Sequence, residues 1–106
     1  MKLRLCSRGD LPTCEVRRFE LADGRAVALY HLEDGFFATD DLCTHGEASL
    51  ADGEIEDGRI VCPYHLGAFD IRTGKATDAP CHIPLKTYPV VEIDGELFVE
   101  GEKVEG

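Results

Sequence analysis

Turn signals divide this chain into short runs that suit β-strands. Asp-Gly pairs, which are typical of tight hairpins, separate predicted strands at 23–24, 34–35 and 94–95, and Thr73-Gly74 marks a further turn. Between the turns, apolar and polar residues alternate with a period of two, and no segment keeps a helical period. The predicted strands are 2–6, 15–21, 25–32, 36–39, 59–62, 68–71, 86–93 and 96–99. The sequence therefore predicts an all-β fold, either a sandwich or a small barrel.

Size and composition limit the chain to one small acidic domain. With 106 residues it has room for one core, so we expect a single domain over 1–106. Leu, Ile, Val and Phe are too frequent for a disordered tail, despite the net charge of −10. That charge and the absence of Trp argue against nucleic-acid binding. No run has the roughly 18 apolar residues of a membrane span, and no signal-peptide pattern is present, so we expect a cytoplasmic protein.

The acidic residues are concentrated in the middle third of the chain. Between positions 31 and 60, nine residues are acidic and one is basic. Such a surface keeps a protein soluble, and it also attracts basic partners in a way that salt weakens. Both interpretations remain open at this point.

Two mixed pairs of cysteine and histidine carry most of the chemical information. Cys43-Thr44-His45 is followed, after 16 residues, by Cys62-Pro63-Tyr64-His65. Five cysteines without an export signal indicate a metal site rather than a disulfide framework. A structural zinc site usually groups Cys with Cys and His with His. Mixed pairs better suit a [2Fe–2S] cluster with two Cys on one iron and two His on the other, a Rieske centre. A mixed Cys₂His₂ zinc site and a domain without metal are the alternatives.

The neighbours of these pairs favour tight, stiff loops. Gly46 follows His45, and Gly67 lies two positions after His65, where a loop needs either an unusual backbone angle or a close backbone approach. Pro63 has a fixed φ and lacks an N–H group. Each pair also lies at a turn between predicted strands, so sheet edges can hold the two loops facing each other.

These motifs resemble the two ligand boxes of Rieske ferredoxins. The nearest resemblance is to the small ferredoxin components of bacterial aromatic-ring-hydroxylating dioxygenases of the biphenyl and naphthalene type, and it covers roughly residues 15 to 100. The segments that carry it are Cys43-Thr44-His45-Gly46, 62–70, 72–75, Ala79-Pro80 and 85–90.

The resemblance implies an antiparallel β-sandwich with a small cluster-binding subdomain inserted in a basal one. The insertion would be about residues 42–80, and the basal part about 1–41 and 81–106. By the same resemblance, Cys43 and Cys62 hold the inner iron and His45 and His65 hold the outer iron. The Ala79-Pro80 segment would cover the cluster from a third side.

Two departures from the cytochrome bc-type Rieske pattern imply a low reduction potential. That type has an extra Cys in each box, joined as a disulfide, whereas this chain has Glu47-Ala48 and Tyr64 there. It also places Ser and Tyr hydroxyls near the cluster sulfurs, where this chain has Gly67 and Phe69. Hydrogen bonds to the sulfurs stabilise the reduced cluster, so we expect a value toward the low end of the Rieske range, roughly −150 to +300 mV.

The resemblance further implies a one-electron carrier that is not itself an enzyme. It would receive electrons from an NAD(P)H-dependent flavoprotein reductase and pass them to a terminal oxygenase that has its own Rieske centre. We expect a monomer that docks briefly around His45 and His65. One alternative is a small Rieske-like subunit of an assimilatory nitrite reductase or a similar complex, and another is a zinc-stabilised interaction module.

The remaining cysteines and rings have simpler interpretations. We expect Cys6 and Cys14 to pack as small apolar residues. Cys81 lies in the predicted covering loop, either near the cluster or as loop filler, and His82 is either a loop residue or a route of electron exit. We also expect His31 to be a half-exposed strand residue, and Phe69 and Tyr88 to lie in the core.

Overall fold

The structure, a computed structural model, describes residues 2–21, 24–44, 48–63, 67–79, 81 and 83–100. These ranges contain eleven β-strands and two short 3₁₀ helices, Arg8–Asp10 and Leu50–Asp52. None of the helices in these ranges is long and apolar enough to cross a membrane. The strands are β1 (Lys2–Ser7), β2 (Glu15–Glu20), β3 (Ala26–Leu32), β4 (Gly35–Asp40), β5 (Glu54–Glu56), β6 (Arg59–Val61), β7 (Ala68–Asp70), β8 (Ala76–Asp78), β9 (Thr87–Tyr88), β10 (Val90–Ile93) and β11 (Glu96–Glu100).

The strands form three antiparallel sheets. The first sheet has the order β1-β11-β10, the second β2-β3-β4-β9, and the third β5-β6-β7-β8. The third sheet is built only from strands that follow one another in the chain, and all of them lie within the predicted insertion. This architecture confirms the prediction of an all-β, antiparallel fold.

Strand β3 lies between two hydrophobic cores. Val27 and Leu29 pack in one core, with residues of the first sheet such as Leu97. Ala28 and Tyr30 point the other way, into a core shared with Phe69 and other residues around the third sheet. Because alternate residues of a strand face opposite sides, a strand that is buried on both sides must be apolar almost throughout. The run from 26 to 32 has that composition.

Several predicted turns and strands are confirmed, and two strands were missed. Asp94 and Gly95 have φ of 52° and 79°, the backbone of a tight hairpin turn, and they join β10 to β11 as expected. Asp57 and Gly58 form a turn of the same kind between β5 and β6. Strands β5 and β8 are only three residues long, too short for their alternation to stand out in the sequence.

The predicted strand 86–93 is in fact two strands in different sheets. Thr87–Tyr88 pairs with β4 in the second sheet, whereas Val90–Ile93 pairs with β11 in the first. Pro89 separates them, and a proline has no N–H group to donate to a neighbouring strand. The chain therefore crosses from one sheet to the other at this residue.

Most of the residues with simple interpretations lie where the sequence placed them. Cys6, Phe69 and Tyr88 are buried, and His31 is partly buried. The prediction for Cys14 is wrong, because this residue is exposed and has a φ of 68°. It lies in a turn before β2 rather than in a strand facing the core. His82 lies outside the described residues.

Candidate metal centre

Two loops with the same closing hydrogen bond hold the two candidate cysteine ligands. The N–H of Cys43 donates to the carbonyl oxygen of Ala48 at 2.9 Å, and the N–H of Cys62 donates to that of Gly67 at 2.7 Å. In each loop the cysteine begins the loop and the acceptor lies five positions later. The chain therefore builds two equivalent loops, one after β4 and one between β6 and β7.

Both cysteines are buried at the base of their loops. The exposed fraction is 2% for Cys43 and 1% for Cys62, and neither forms a disulfide. They belong to the same core cluster, which also contains Ile60 and Phe69. His45 and His65, the predicted partners, lie outside the described residues. Within the described ranges, no three side chains of His, Cys, Asp or Glu are grouped so as to hold a metal ion.

Asp41 fixes the path of the chain around the first loop. The side chain of Asp41 is 5% exposed, and its carboxylate accepts hydrogen bonds from the Ser49 hydroxyl (2.6 Å) and the Ala51 N–H (3.0 Å). The carboxylate also lies 3.3 Å from Nε of Arg18. The carbonyl oxygen of Asp41 also accepts from the N–H of Leu50 at 2.8 Å. Since a buried carboxylate needs such partners, these contacts hold both ends of the segment that contains Cys43.

A third segment, which includes Cys81 and Ile83, packs against both loops. The Thr44 hydroxyl donates to the carbonyl oxygen of Ile83 at 2.6 Å. On the other loop, a Cβ added to Gly67 would lie 2.5 Å from the Cys81 sulfur and 3.2 Å from the Asp78 carbonyl oxygen. The N–H of Cys81 donates to that same carbonyl oxygen at 3.1 Å. A side chain at position 67 would therefore push the third segment away, which explains why this position is glycine.

Cys81 joins the two candidate ligands as a third buried thiol. It is 4% exposed, it belongs to the same buried cluster as Cys43 and Cys62, and both of these cysteines lie close enough to interact with it electrostatically. Burial and then the proximity of Cys43 raise the pKa of the Cys81 thiol to about 12. Of the two interpretations of Cys81, the position near the candidate ligands is the one that the structure supports.

The surface around the loops combines apolar and acidic side chains. Leu42 is 60% exposed and Ile83 is 51% exposed, although both are large and apolar. Beside Cys62 and Pro63 lies a shallow depression whose lining includes three acidic residues, Asp52, Glu54 and Glu56. Exposed apolar side chains and acidic side chains therefore both lie beside the candidate ligands.

Comparison with known families matches residues 1–89 to the family described as "Rieske [2Fe-2S] domain". The chain belongs to this Rieske family. It is 45% identical over 97 residues to the "p-cumate 2,3-dioxygenase system, ferredoxin component" of Pseudomonas putida, covering 91% of this chain and 82% of that protein. Its fold is similar, with a TM-score of 0.91 and 39% identity, to a chain of the solved structure "Complex of reduced oxygenase and oxidized ferredoxin in carbazole 1,9a- dioxygenase". That match covers 96% of this chain and 94% of the other.

A more distant likeness extends to the fold alone. A structure described as "putative NADH-dependent nitrite reductase small subunit from Mycobacterium tuberculosis" matches with a TM-score of 0.86 and 24% identity, covering 98% of this chain and 97% of the other. The nitrite reductase alternative is therefore less well supported than the ferredoxin interpretation, whose relatives are more similar in sequence.

The described residues of this Rieske chain fit an iron–sulfur group. A [2Fe–2S] cluster takes cysteine thiolates in a site shielded from water, and Cys43 and Cys62 are two buried thiols without a disulfide. Their loops leave four residues each between the cysteine and the closing carbonyl, and each set of four includes a histidine.

Sequence reasoning missed the residues that support this site. Asp41 and Thr44 act through contacts with residues 8 to 39 positions away, so no local motif indicated these contacts. Gly67 was singled out for close backbone approach, but its partner in the structure is the third segment. The one available signal for Cys81 was its place in the segment that the resemblance puts over the cluster.

Proposed function

We propose that this chain binds one [2Fe–2S] cluster of Rieske type, with Cys43 and Cys62 on one iron and His45 and His65 on the other. The observation that carries this proposal is the pair of equivalent loops, each with a buried cysteine at its base and a histidine within it. The family match supports the type of cluster. We further propose that about residues 42–80 form the cluster-binding part and 1–41 with 81–106 the basal part.

We propose that the protein is a one-electron carrier in an aromatic-ring-hydroxylating dioxygenase system and is not itself an enzyme. A bound cluster of this type takes up and releases one electron. The donor would be an NAD(P)H-dependent flavoprotein reductase, and the acceptor a terminal oxygenase with its own Rieske centre. The similarity to a ferredoxin component and to a chain from an oxygenase–ferredoxin complex supports this assignment. We propose a monomer, because a carrier that serves two partners in turn must leave each of them. We also propose a cytoplasmic location.

Some residues of the chain would shield the cluster from water, and others would take part in electron exchange with partners. The buried thiols of Cys43 and Cys62 would face the core and exclude water from one side of the group. The loop histidines would hold the other iron, the one from which an electron passes to a partner. The third segment would close the remaining side through its contacts at Thr44 and Gly67.

We propose that partners dock on the loop surface that carries Leu42 and Ile83. Exposed apolar side chains on a small protein often mark interaction sites, and brief complexes use small interfaces. Asp52, Glu54 and Glu56, near the second loop, would attract a basic partner surface and speed association at low salt. Electron-transfer rates to the oxygenase should therefore fall as salt rises, and equal rates at low and high salt would rule out this steering.

The reduction potential is expected to be low. Gly67 has no side chain, and Phe69 is a fully buried ring, so neither offers a hydroxyl to the cluster sulfurs. Fewer hydrogen bonds leave the reduced, more negative state less stabilised. A low potential suits a donor to an oxygenase.

An electron paramagnetic resonance spectrum of the dithionite-reduced protein, with iron and zinc analysis, tests the cluster assignment. We expect two irons per chain and a rhombic signal whose average g-value lies below that of an all-cysteine [2Fe–2S] cluster. A colourless, silent protein that contains zinc after anaerobic reconstitution would overturn the proposal and favour a zinc-stabilised module. A cluster-loaded protein that stays bound to a nitrite reductase partner through purification would favour the subunit alternative.

A further inference from the structure

We propose that Arg25 and Lys86 form a cationic contact that binds a carboxylate on the surface of the terminal oxygenase. This inference rests on the proposed function, in which partners dock on the loop surface that carries Leu42 and Ile83. It adds a positive contact beside the first loop to a docking surface whose acidic residues lie beside the second loop. The two charges together would fix the orientation of the bound oxygenase.

Arg25 and Lys86 lie at the end of the second sheet from which the first ligand loop departs. Arg25 directly precedes β3, and Lys86 directly precedes β9. The N–H of Asp40, the last residue of β4, donates to the carbonyl oxygen of Lys86 at 2.9 Å. The next N–H along the chain donates to the carbonyl oxygen of the residue after Arg25 at 3.1 Å. Since the exposed Leu42 lies only two positions after Asp40, the backbones of both cations lie beside the base of the first loop.

The side chains of this cationic pair are held against one buried ring. Cζ of Arg25 lies 5.2 Å from the centroid of the Tyr88 ring, and Nζ of Lys86 lies 5.4 Å from it, as in cation–π contacts. Nη1 of Arg25 also donates to the Tyr88 hydroxyl at 3.0 Å, and that hydroxyl donates to the carboxylate of Asp40. Because side chains that are already held lose less rotamer freedom on binding, the pair is pre-organised to receive a ligand.

The chemistry of the pair selects an acidic group on the partner. Guanidinium and ammonium groups donate charge-assisted hydrogen bonds to carboxylates, and the side chain of Lys86 is exposed to make one. The acidic depression beside Cys62 and Pro63 selects the opposite charge. An oxygenase surface with a carboxylate facing the cationic pair and basic groups facing the depression would therefore fit in one orientation and be repelled when reversed.

Substitutions of Lys86 test the charge of the pair. Lys86→Gln removes the charge, Lys86→Glu reverses it, and Lys86→Arg keeps it. Lys2→Gln is the matched control, since it removes the same charge from an exposed lysine in β1 of the first sheet. Each cluster-loaded variant is reduced, freed of dithionite and mixed rapidly with the oxidised oxygenase. The apparent dissociation constant is obtained from the dependence of the electron-transfer rate on carrier concentration, at low and at high salt.

Arg25 needs a control of its own because it also bonds to Tyr88. Arg25→Gln removes both the charge and the hydrogen bond to the Tyr88 hydroxyl, whereas Tyr88→Phe removes that hydrogen bond and keeps the charge. The spectrum and the midpoint potential of every variant show whether the cluster itself has changed.

At low salt we expect a several-fold rise in the apparent dissociation constant for Lys86→Gln, a larger rise for Lys86→Glu, and wild-type values for Lys86→Arg and Lys2→Gln. Arg25→Gln should raise the constant more than Tyr88→Phe does. The spectra and potentials should match the wild type, and the differences in the constant should shrink at high salt because salt screens exposed charges.

Three results would overturn the inference. They are equal constants for Lys86→Gln and the wild type, an equal rise for Lys2→Gln, and an effect confined to electron transfer from the reductase. A wild-type protein that has no Rieske spectrum, or that transfers no electron to the oxygenase at any concentration, would instead show that the proposed function itself has failed.

Discussion

The hydroxyl of Thr44 donates a 2.6 Å hydrogen bond to the carbonyl oxygen of Ile83, 39 residues further along the chain. Thr44 directly follows the first candidate ligand, and Ile83 lies two positions after Cys81. This bond ties the first loop to the segment that also contacts the second loop at Gly67. The two loops and the third segment are therefore mechanically connected, although they are far apart in the sequence.

Replacing Thr44 with valine should loosen this connection without changing the size of the side chain. The lost hydrogen bond is worth about 1 kcal/mol, so we expect faster release of iron to a chelator and a lower melting temperature. Thr77→Val is the control, because the Thr77 hydroxyl donates to the adjacent Asp78 in its own strand rather than to a distant segment. Equal rates of iron release in Thr44→Val and the wild type would show that the third segment does not hold the loop.

Gly67→Ala should disturb the site by steric conflict. Its new methyl group would lie 2.5 Å from the Cys81 sulfur and 3.0 Å from the Cys81 nitrogen, and neither atom can move freely. Overpacking of this kind costs about 1–3 kcal/mol, so we expect a lower free energy of unfolding and less iron per chain. Gly9→Ala provides the comparison, since a methyl group at Gly9 would meet no atom within 4 Å. Normal iron content in Gly67→Ala would contradict the close packing of the third segment.

Leu42→Ser and Ile83→Ser should slow electron transfer to the oxygenase while leaving the spectrum and the potential unchanged. Both side chains are exposed beside the loops, so their loss removes apolar contact area from the proposed interface. We expect a several-fold rise in the apparent dissociation constant, measured from the dependence of the rate on carrier concentration. Ile93→Ser is the matched control, because Ile93 is also exposed (44%) but lies in the β10–β11 hairpin of the first sheet. An equal effect in all three variants would argue against docking at the loops.

The substitution His65→Cys tests whether this histidine is a ligand. A thiolate in place of a neutral imidazole adds negative charge to the cluster, so we expect an altered spectrum and a lower potential in protein that retains iron. The measurement is a redox titration followed by electron paramagnetic resonance. An unchanged or higher potential would contradict the assignment.

Tyr88 should make the stability of the protein depend on pH in the alkaline range. Burial, and then the hydrogen bond that its hydroxyl donates to Asp40, raise the pKa of Tyr88 from 10.0 to about 12. Between these values the unfolded chain loses the phenol proton while the folded chain keeps it. The contribution of Tyr88 to the free energy of unfolding is therefore fully present below about pH 10 and decreases toward about pH 12.

Tyr88→Phe should therefore weaken this alkaline dependence. At neutral pH we expect a loss of about 1 kcal/mol, because the Asp40 carboxylate loses a donor. Denaturant unfolding at neutral pH and at several alkaline pH values measures both effects. Parallel stability curves for the variant and the wild type across the alkaline range would show that this phenol does not titrate as inferred.

Much of the fold could be predicted from local sequence patterns, and the predictions that were wrong have physical causes. The hairpin at Asp94-Gly95 was predictable because its two residues need left-handed backbone angles. The division of the predicted strand 86–93 was not, because it depends on which sheet edges are free on either side of Pro89. The exposure of Cys14 was not predictable either, because it depends on a turn in which Cys14 has a positive φ, and no local pattern indicated that turn.

The sequence by itself determined the all-β class and the two Cys/His pairs, because strand alternation, turn residues and ligand spacing are all local properties. Only the tertiary structure decided that the loops of Cys43 and Cys62 close in the same way, and that Cys81 lies in the same buried cluster as these two cysteines. It also decided that Asp41 and Thr44 support the first loop. The relationships of Cys81 and of Thr44 join residues that lie far apart in the chain, and they arise only when the sheets pack around two cores.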